Sequence, residues 1–298
     1  MPQITVSQFK RALAARKKLA AGPVAGESSG VQVEKRQETL RLAAESRYEA
    51  AKFVGGGLFR NVVLLDKPFL IWAHPSNILW DSSTEPRNSW AKIHVEDDGL
   101  HPGVDFLDRL TFWYVWENDT AYTTVVDVSA YTTVSGSWQA EASIYAIHDP
   151  IGHPGDPDYD PTNTDSAGGS AHLALSANLA LYEWWNSPPT LAPLQNAPDQ
   201  QTQISFLNLD LQAVPPDPVF KSSFMFNGFE LKQRLLVIPP EGVLVAEVNF
   251  DVGHKAHAGH VSADFFNGEG NQVTSHWLQV EYVLAPPLIA TPVGLLEV

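Results

Sequence analysis

Residues 148–165 read HDPIGHPGDPDYDPTNTD, with two histidines and five aspartates in a stretch broken by proline and glycine. Carboxylates at alternate positions are the raw material of a calcium loop, since that ion takes roughly six to eight oxygen ligands. Asp156, Asp158 and Asp160 stand at positions 1, 3 and 5 of an EF-hand count. The count then fails, because Pro161 replaces the glycine of the sharp turn and Ala167 replaces the closing bidentate glutamate. Aspartate and proline also make ordinary turns, the one by bonding nearby backbone amides and the other by fixing φ. The stretch therefore reads as a solvated connection. No cofactor is expected, and calcium is the one its oxygens would admit.

A second cluster, GHKAHAGH at 253–260, spaces His254, His257 and His260 three apart. On a helix that spacing keeps one face, and imidazoles so placed can share a zinc ion. Gly253 and Gly259 and the strand-like flanks argue for a loop or strand instead, where residues three apart point to opposite faces. A set of titratable histidines is the expectation, not a catalytic metal centre.

Other chemistries are thinly represented. The chain has no cysteine, which excludes disulfides, thiolate nucleophiles and Cys-based zinc sites. There is no nucleophile elbow, P-loop or dinucleotide fingerprint. Glu117 with Asp119, or Glu183, could supply the paired carboxylates of a glycosidase, roughly 5–10 Å apart. An acidic chain offers such pairs by chance, so no enzymatic activity is expected. Trp184 and Trp185, with Trp116, Trp113, Trp90 and Trp80, could stack on sugar rings. Most of these rings lie in apolar strands, which favours core packing. Asn118-Asp119-Thr120 is a formal glycosylation sequon.

These residues must be held by elements whose pattern is mostly of period two. In GSWQAEASIYAI, Trp138, Ala140, Ala142 and Ile144 alternate with Gln139, Glu141 and Ser143. In AHLALSANLALYEW, Leu173, Leu175, Ala177, Leu179 and Leu181 form one stripe and Ser176 and Asn178 belong to the wet one. Such alternation marks half-buried antiparallel strands. RLTFWYVWEN is apolar on both faces and is expected in the middle of a sheet or at an interface. NVVLLDKPFLIWA, SWAKIHV, QISFLNLDLQAV, SSFMFNGFELKQRLLVI, GVLVAEVNFDV and SHWLQVEYVL add further strands, separated by Pro- and Gly-rich turns.

The expected fold is mainly β: an antiparallel β-sandwich, jelly-roll-like or two packed sandwiches, preceded by an N-terminal helical arm. The expected divisions are a basic helical arm over 1–54, a first β-sandwich part over 55–150 and an Asp/Pro/Gly-rich loop over 151–171. A second β-sandwich part follows over 172–285, then an apolar Pro-rich tail over 286–298.

Charge is divided along the chain. Residues 1–54 carry ten Lys/Arg against five Glu, a balance of +5, while the remaining 244 residues balance at −20. The basic cluster Lys10, Arg11, Arg16, Lys17 and Lys18 could neutralise phosphates, but the acidic body would repel a polyanion, so nucleic acid is disfavoured. Docking of the arm on the body of another subunit is the better use of that polarity. Leu288, Ile289, Leu295 and Leu296 in the tail would also be adhesive if exposed. No signal peptide is expected, since charged residues interrupt the N-terminal apolar stretch, and no run approaches the ~18 apolar residues of a spanning helix. The expected location is cytoplasmic, or outside the cell after release without a conventional signal peptide. The functional expectation is a non-enzymatic structural protein that assembles with copies of itself into a filament, shell or ring through its arm and tail. The alternative is a carbohydrate- or cell-surface-binding β-sandwich module, with or without calcium.

Overall fold

A strand that is polar on one side and apolar on the other must find a second apolar surface to lie against. The computed structural model describes residues 61–74, 79–99, 105–148, 164–183, 192–194 and 202–284. The arm expected over 1–54, Asp156, Asp158, Asp160, Trp184, Trp185 and the tail expected over 286–298 all lie outside these residues. Within them the chain is mainly β, its strands all paired antiparallel. No helix occurs among the described residues.

In chain order the strands are β1 (Asn61–Leu65), β2 (Leu70–His74), β3 (Leu79–Ser83), β4 (Ser89–Asp97) and β5 (Phe106–Glu117). Then follow β6 (Thr124–Ala142), β7 (Ile144–His148), β8 (Thr164–Gly168), β9 (Ser170–Glu183) and β10 (Ala192–Pro193). The last are β11 (Gln203–Gln212), β12 (Val219–Ile238), β13 (Val243–His257), β14 (Gly259–Phe265) and β15 (Gln272–Leu284). A seven-stranded sheet runs β1-β15-β4-β14-β6-β12, with β3 added on β4 and β15 also pairing β6. A six-stranded sheet runs β10-β9-β13-β5-β2, with β11 also on β9. β7 and β8 form a separate two-stranded sheet. Strands from before and after the aspartate-rich stretch enter both large sheets.

Three sequence segments fold differently from their pattern. NVVLLDKPFLIWA divides into β1 and β2, which belong to different sheets. Pro68 lies between them, where a residue without an N–H cannot continue a ladder. Thr164–Gly168, within the stretch expected to be loop, is β8. YTTVVDVSAY and the first part of GSWQAEASIYAI, expected as separate strands, merge into the 19-residue β6, and after Ser143 the chain continues as β7 with Ile144.

The inward stripes of the two large sheets form one buried cluster. The seven-stranded sheet supplies Ile93, Val126, Leu231 and Phe265; the six-stranded sheet supplies Leu110, Phe112, Phe250 and the stripe Leu173 to Leu181. Each such side chain contributes roughly 1.5–3 kcal/mol of burial. Phe250 meets Phe265 edge-on at 5.0 Å, and Phe206 meets Phe229 at 4.9 Å, both pairs reaching from one sheet to the other. Polar links join the sheets as well: Tyr114 and Ser275 share a 2.8 Å hydrogen bond, and Gln233 Nε2 donates to the Leu179 carbonyl at 2.9 Å. Two antiparallel sheets around one core fit a β-sandwich.

β5 lies inside the six-stranded sheet and is buried on both faces over Leu110–Tyr114, as its two-sided apolar pattern implies. Asn118, at its end, is fully buried, and its amide donates to the carbonyls of Tyr122, Ile238 and Pro239. The sequon is thus a structural corner that ties two strand connections together.

Gly136 packs so closely that an added Cβ would collide with the Phe265 ring and the Asp264 carbonyl. Gly136→Ala is expected to cost about 1–3 kcal/mol of stability, through the strain of overpacking. The urea midpoint measures this; an unchanged midpoint would contradict the packing between β6 and β14.

Candidate interaction surface

The sequence-selected residues that are described do not converge. His254, His257 and His260 lie on or beside the β13–β14 corner, and each has its own partner. His257 Nε2 is 3.1 Å from the Tyr145 hydroxyl, and His260 Nε2 is 3.8 Å from Glu96 Oε1. His254 points inward. Among the described residues no three His, Asp or Glu side chains are grouped to hold a metal ion. Trp116 is 6% exposed and packs 5.4 Å from Tyr282, which places it in the core and not on a stacking surface. Trp113 is likewise buried, against Tyr182 and Val245.

His254 forms a buried charge cluster. Its Nε2 donates to Asp108 Oδ2 at 3.0 Å and its Nδ1 to Asp97 Oδ2 at 3.3 Å. Asp97 also accepts from the Ala256 and Gly99 amides. The Phe106 ring stacks on the imidazole at 5.3 Å. Parity explains the placement: His254 continues the inward row of Phe250 and Val252, Asp108 that of Leu110, and Asp97 that of Ile93 and Val95. Burial by itself pushes the imidazole's pKa down. The hydrogen bonds and charges of Asp108 and Asp97 outweigh that, and the value is raised. The cluster joins β4 of one sheet to β5 and β13 of the other and is enclosed, so it holds structure and offers no reactive surface.

Part of the outer face of the six-stranded sheet carries a second polar array, beside the apolar cluster of Trp113, Tyr182 and Val245. Arg109 donates to both Asp251 oxygens, at 2.6 and 3.0 Å. Asn178 donates to Asp251 at 2.8 Å, Asn249 to Asn178 at 2.9 Å and Thr111 to Asn249 at 2.6 Å. The hydrogen bond to Asp251 raises the Arg109 pKa further. The stripe expected to be wet is therefore a bonded row across β9, β13 and β5, with Asn249 and Asp251 buried.

Among the described residues, three of the exposed aromatic rings lie on β12. It lies at the end of the seven-stranded sheet and pairs β6 over its whole length; among the described residues no strand pairs its other edge. Register is unbroken from Val219 to Gln233. Phe229 and Leu231 lie in the core, so parity forces Phe220, Phe224 and Phe226 onto the outer face. These rings are 58%, 60% and 79% exposed. From Phe220 to Gly228 both faces are largely open to solvent, with only Met225 half-buried. As a sequence, SSFMFNGFELKQRLLVI reads as one more strand. The signal it contained was the change in aromatic parity between Phe226 and Phe229, which a continuous strand cannot bury on one side.

Beside these rings an open groove of about 410 Å³ crosses β12, β6 and β14. Phe224, Ser137 and Asp264 make one cross-strand row, and Ser222, Gln139 and Ser262 the next. Burial would raise the Asp264 pKa, but hydrogen bonds from the Asn267 and Phe266 amides and the Asn267 side chain outweigh it, so the value is lowered and the carboxylate stays ionised. No protein-family model matches the chain, and no curated protein matches it in sequence. The functional reading therefore rests on the geometry of this surface and on the charge layout of the chain.

A raised imidazole pKa means the His254 cluster stabilises the fold fully below the ordinary histidine value, about 6.5. That stabilisation is lost as pH rises through the higher folded value. His254→Gln leaves two buried carboxylates facing a neutral amide and is expected to cost about 3–5 kcal/mol at pH 6. Denaturant titrations from pH 6 to 9 should show the parent losing stability relative to the variant; parallel profiles would refute the charge assignment.

Proposed function

We propose that this protein is a non-enzymatic structural protein, a jelly-roll-like β-sandwich that associates with copies of itself. The observation carrying this reading is the row of Phe220, Phe224 and Phe226 on a strand whose far edge no described strand pairs. Clustered aromatics at a sheet edge are adhesive, and chains that remain monomeric normally blunt such edges with charge, proline or a bulge. Lys221 is the one charged residue between Val219 and Phe229. The charge polarity of the chain supports the same reading: a +5 segment over residues 1–54 complements the −20 remainder. In this proposal the arm, with Lys10, Arg11, Arg16, Lys17 and Lys18, and the apolar tail add further contacts between subunits, and closed or open packing gives a shell, ring or filament.

The groove supports a second reading, a carbohydrate-binding module. Serine hydroxyls, the Gln139 amide and the Asp264 carboxylate beside an aromatic ring offer what a sugar ring needs, hydrogen bonds at its rim and an apolar face.

Light scattering of the full chain across concentration tests the first reading. Mass should rise above the monomer value and fall back in the Phe224→Lys/Phe226→Lys variant, while its thermal midpoint changes little because both side chains are exposed. A monomer at every concentration and salt would overturn self-association. Saturable binding in a glycan titration, abolished by Gln139→Ala, would then favour the module.

A further inference from the structure

We propose that β12 pairs edge to edge with β12 of a second copy, across a two-fold axis passing through Phe224. The inference rests on the self-association reading and gives it a partner, a register and a symmetry. Its starting point is the stretch of β12 free to accept a neighbour. Val219 is half-buried and follows the turn closed between Val214 and Asp217. From Phe229 onward the strand enters the core, where Phe206 of β11 stands 4.9 Å from the Phe229 ring. Phe220–Gly228 is the segment exposed on both faces, with one edge on β6 and the other open among the described residues. Proline and bulges, the usual obstacles to such pairing, do not occur between Val219 and Gln233.

Symmetry then fixes the register. Two identical chains meeting in an isologous contact map the shared segment onto itself. For antiparallel strands the axis therefore passes through the midpoint of that segment, which for 220–228 is Phe224. The axis is perpendicular to the sheet, so opposed residues must lie on the same face and their numbers must have an even sum. An axis on Phe224 meets this condition. It places Phe220 opposite Gly228 of the second copy, Ser222 opposite Phe226 and Phe224 opposite Phe224. On the outer face large rings then alternate with small residues, and the two Phe224 rings meet at the centre. On the other face Lys221 opposes Asn227 and Ser223 opposes Met225, so no like charges face one another. An axis moved to Phe226 would set Phe220 and Ser222 against Lys232 and Glu230, whose exposed side chains already pair with each other at 2.8 Å.

The result is a fourteen-stranded sheet running through both copies, with the groove repeated on its outer face at either side of the axis. The chain has no cysteine, so a single introduced thiol reports on this geometry without background. Opposed Cα atoms in an antiparallel pair are about 4.5–5.5 Å apart, within reach of a disulfide. Phe224→Cys should form covalent dimer under mild oxidation roughly tenfold faster than Ser222→Cys or Phe226→Cys alone, because only position 224 faces itself at high effective concentration. Mixing the Ser222→Cys and Phe226→Cys chains should restore fast cross-linking between them. If Phe224→Cys reacts no faster than Ser222→Cys while the parent still shows mass above the monomer, the β12 pairing is wrong and self-association occurs through another surface. If the parent is monomeric throughout, both the pairing and the self-association reading fail.

Discussion

Everything in this fold follows from one constraint: side chains on a strand alternate between two faces, and only one face of each large sheet can be turned to the shared core. Once Phe112, Leu175, Phe250 and Phe265 are committed to that core, the orientation of every other residue on their strands is settled. A slip of one residue would turn each stripe to solvent. The long pairings of β6 with β12 and of β13 with β5 and β9 carry this constraint over whole strands, so a local preference cannot override it.

The constraint also explains why charge is buried. His254, Asp108 and Asp97 fall on inward positions of three strands from two sheets, and they meet at the core's end. Their mutual hydrogen bonds make that burial tolerable. The same parity puts Arg109, Asp251, Asn178, Asn249 and Thr111 on one outer face, where they bond to one another in a row. A buried polar group without partners would cost about 1–3 kcal/mol, so these networks specify how strands align as well as holding them.

On β12 the constraint produces exposure in place of burial. Phe229 and Leu231 occupy the core, and the unbroken register leaves Phe220, Phe224 and Phe226 no inward position. The strand thereby carries an apolar outer row and, among the described residues, an open hydrogen-bonding edge at one place. This coincidence of two unsatisfied requirements, apolar surface and backbone edge, is what supports the proposed contact between copies.

Periodicity in the sequence by itself determined that the body is antiparallel β, that Leu173 to Leu181 face inward and that RLTFWYVWEN lies within a sheet, because these depend only on which residues alternate. The aromatic parity change at 226–229 was also present in the sequence, though it gains meaning only once β12 is known to run straight through. Tertiary structure alone decided the rest. The division of NVVLLDKPFLIWA between two sheets, the meeting of His254 with Asp97 and Asp108 from 157 and 146 residues away, and the edge position of β12 all depend on which strands become neighbours. Strand order is set by long-range packing, and no local pattern of residues encodes it.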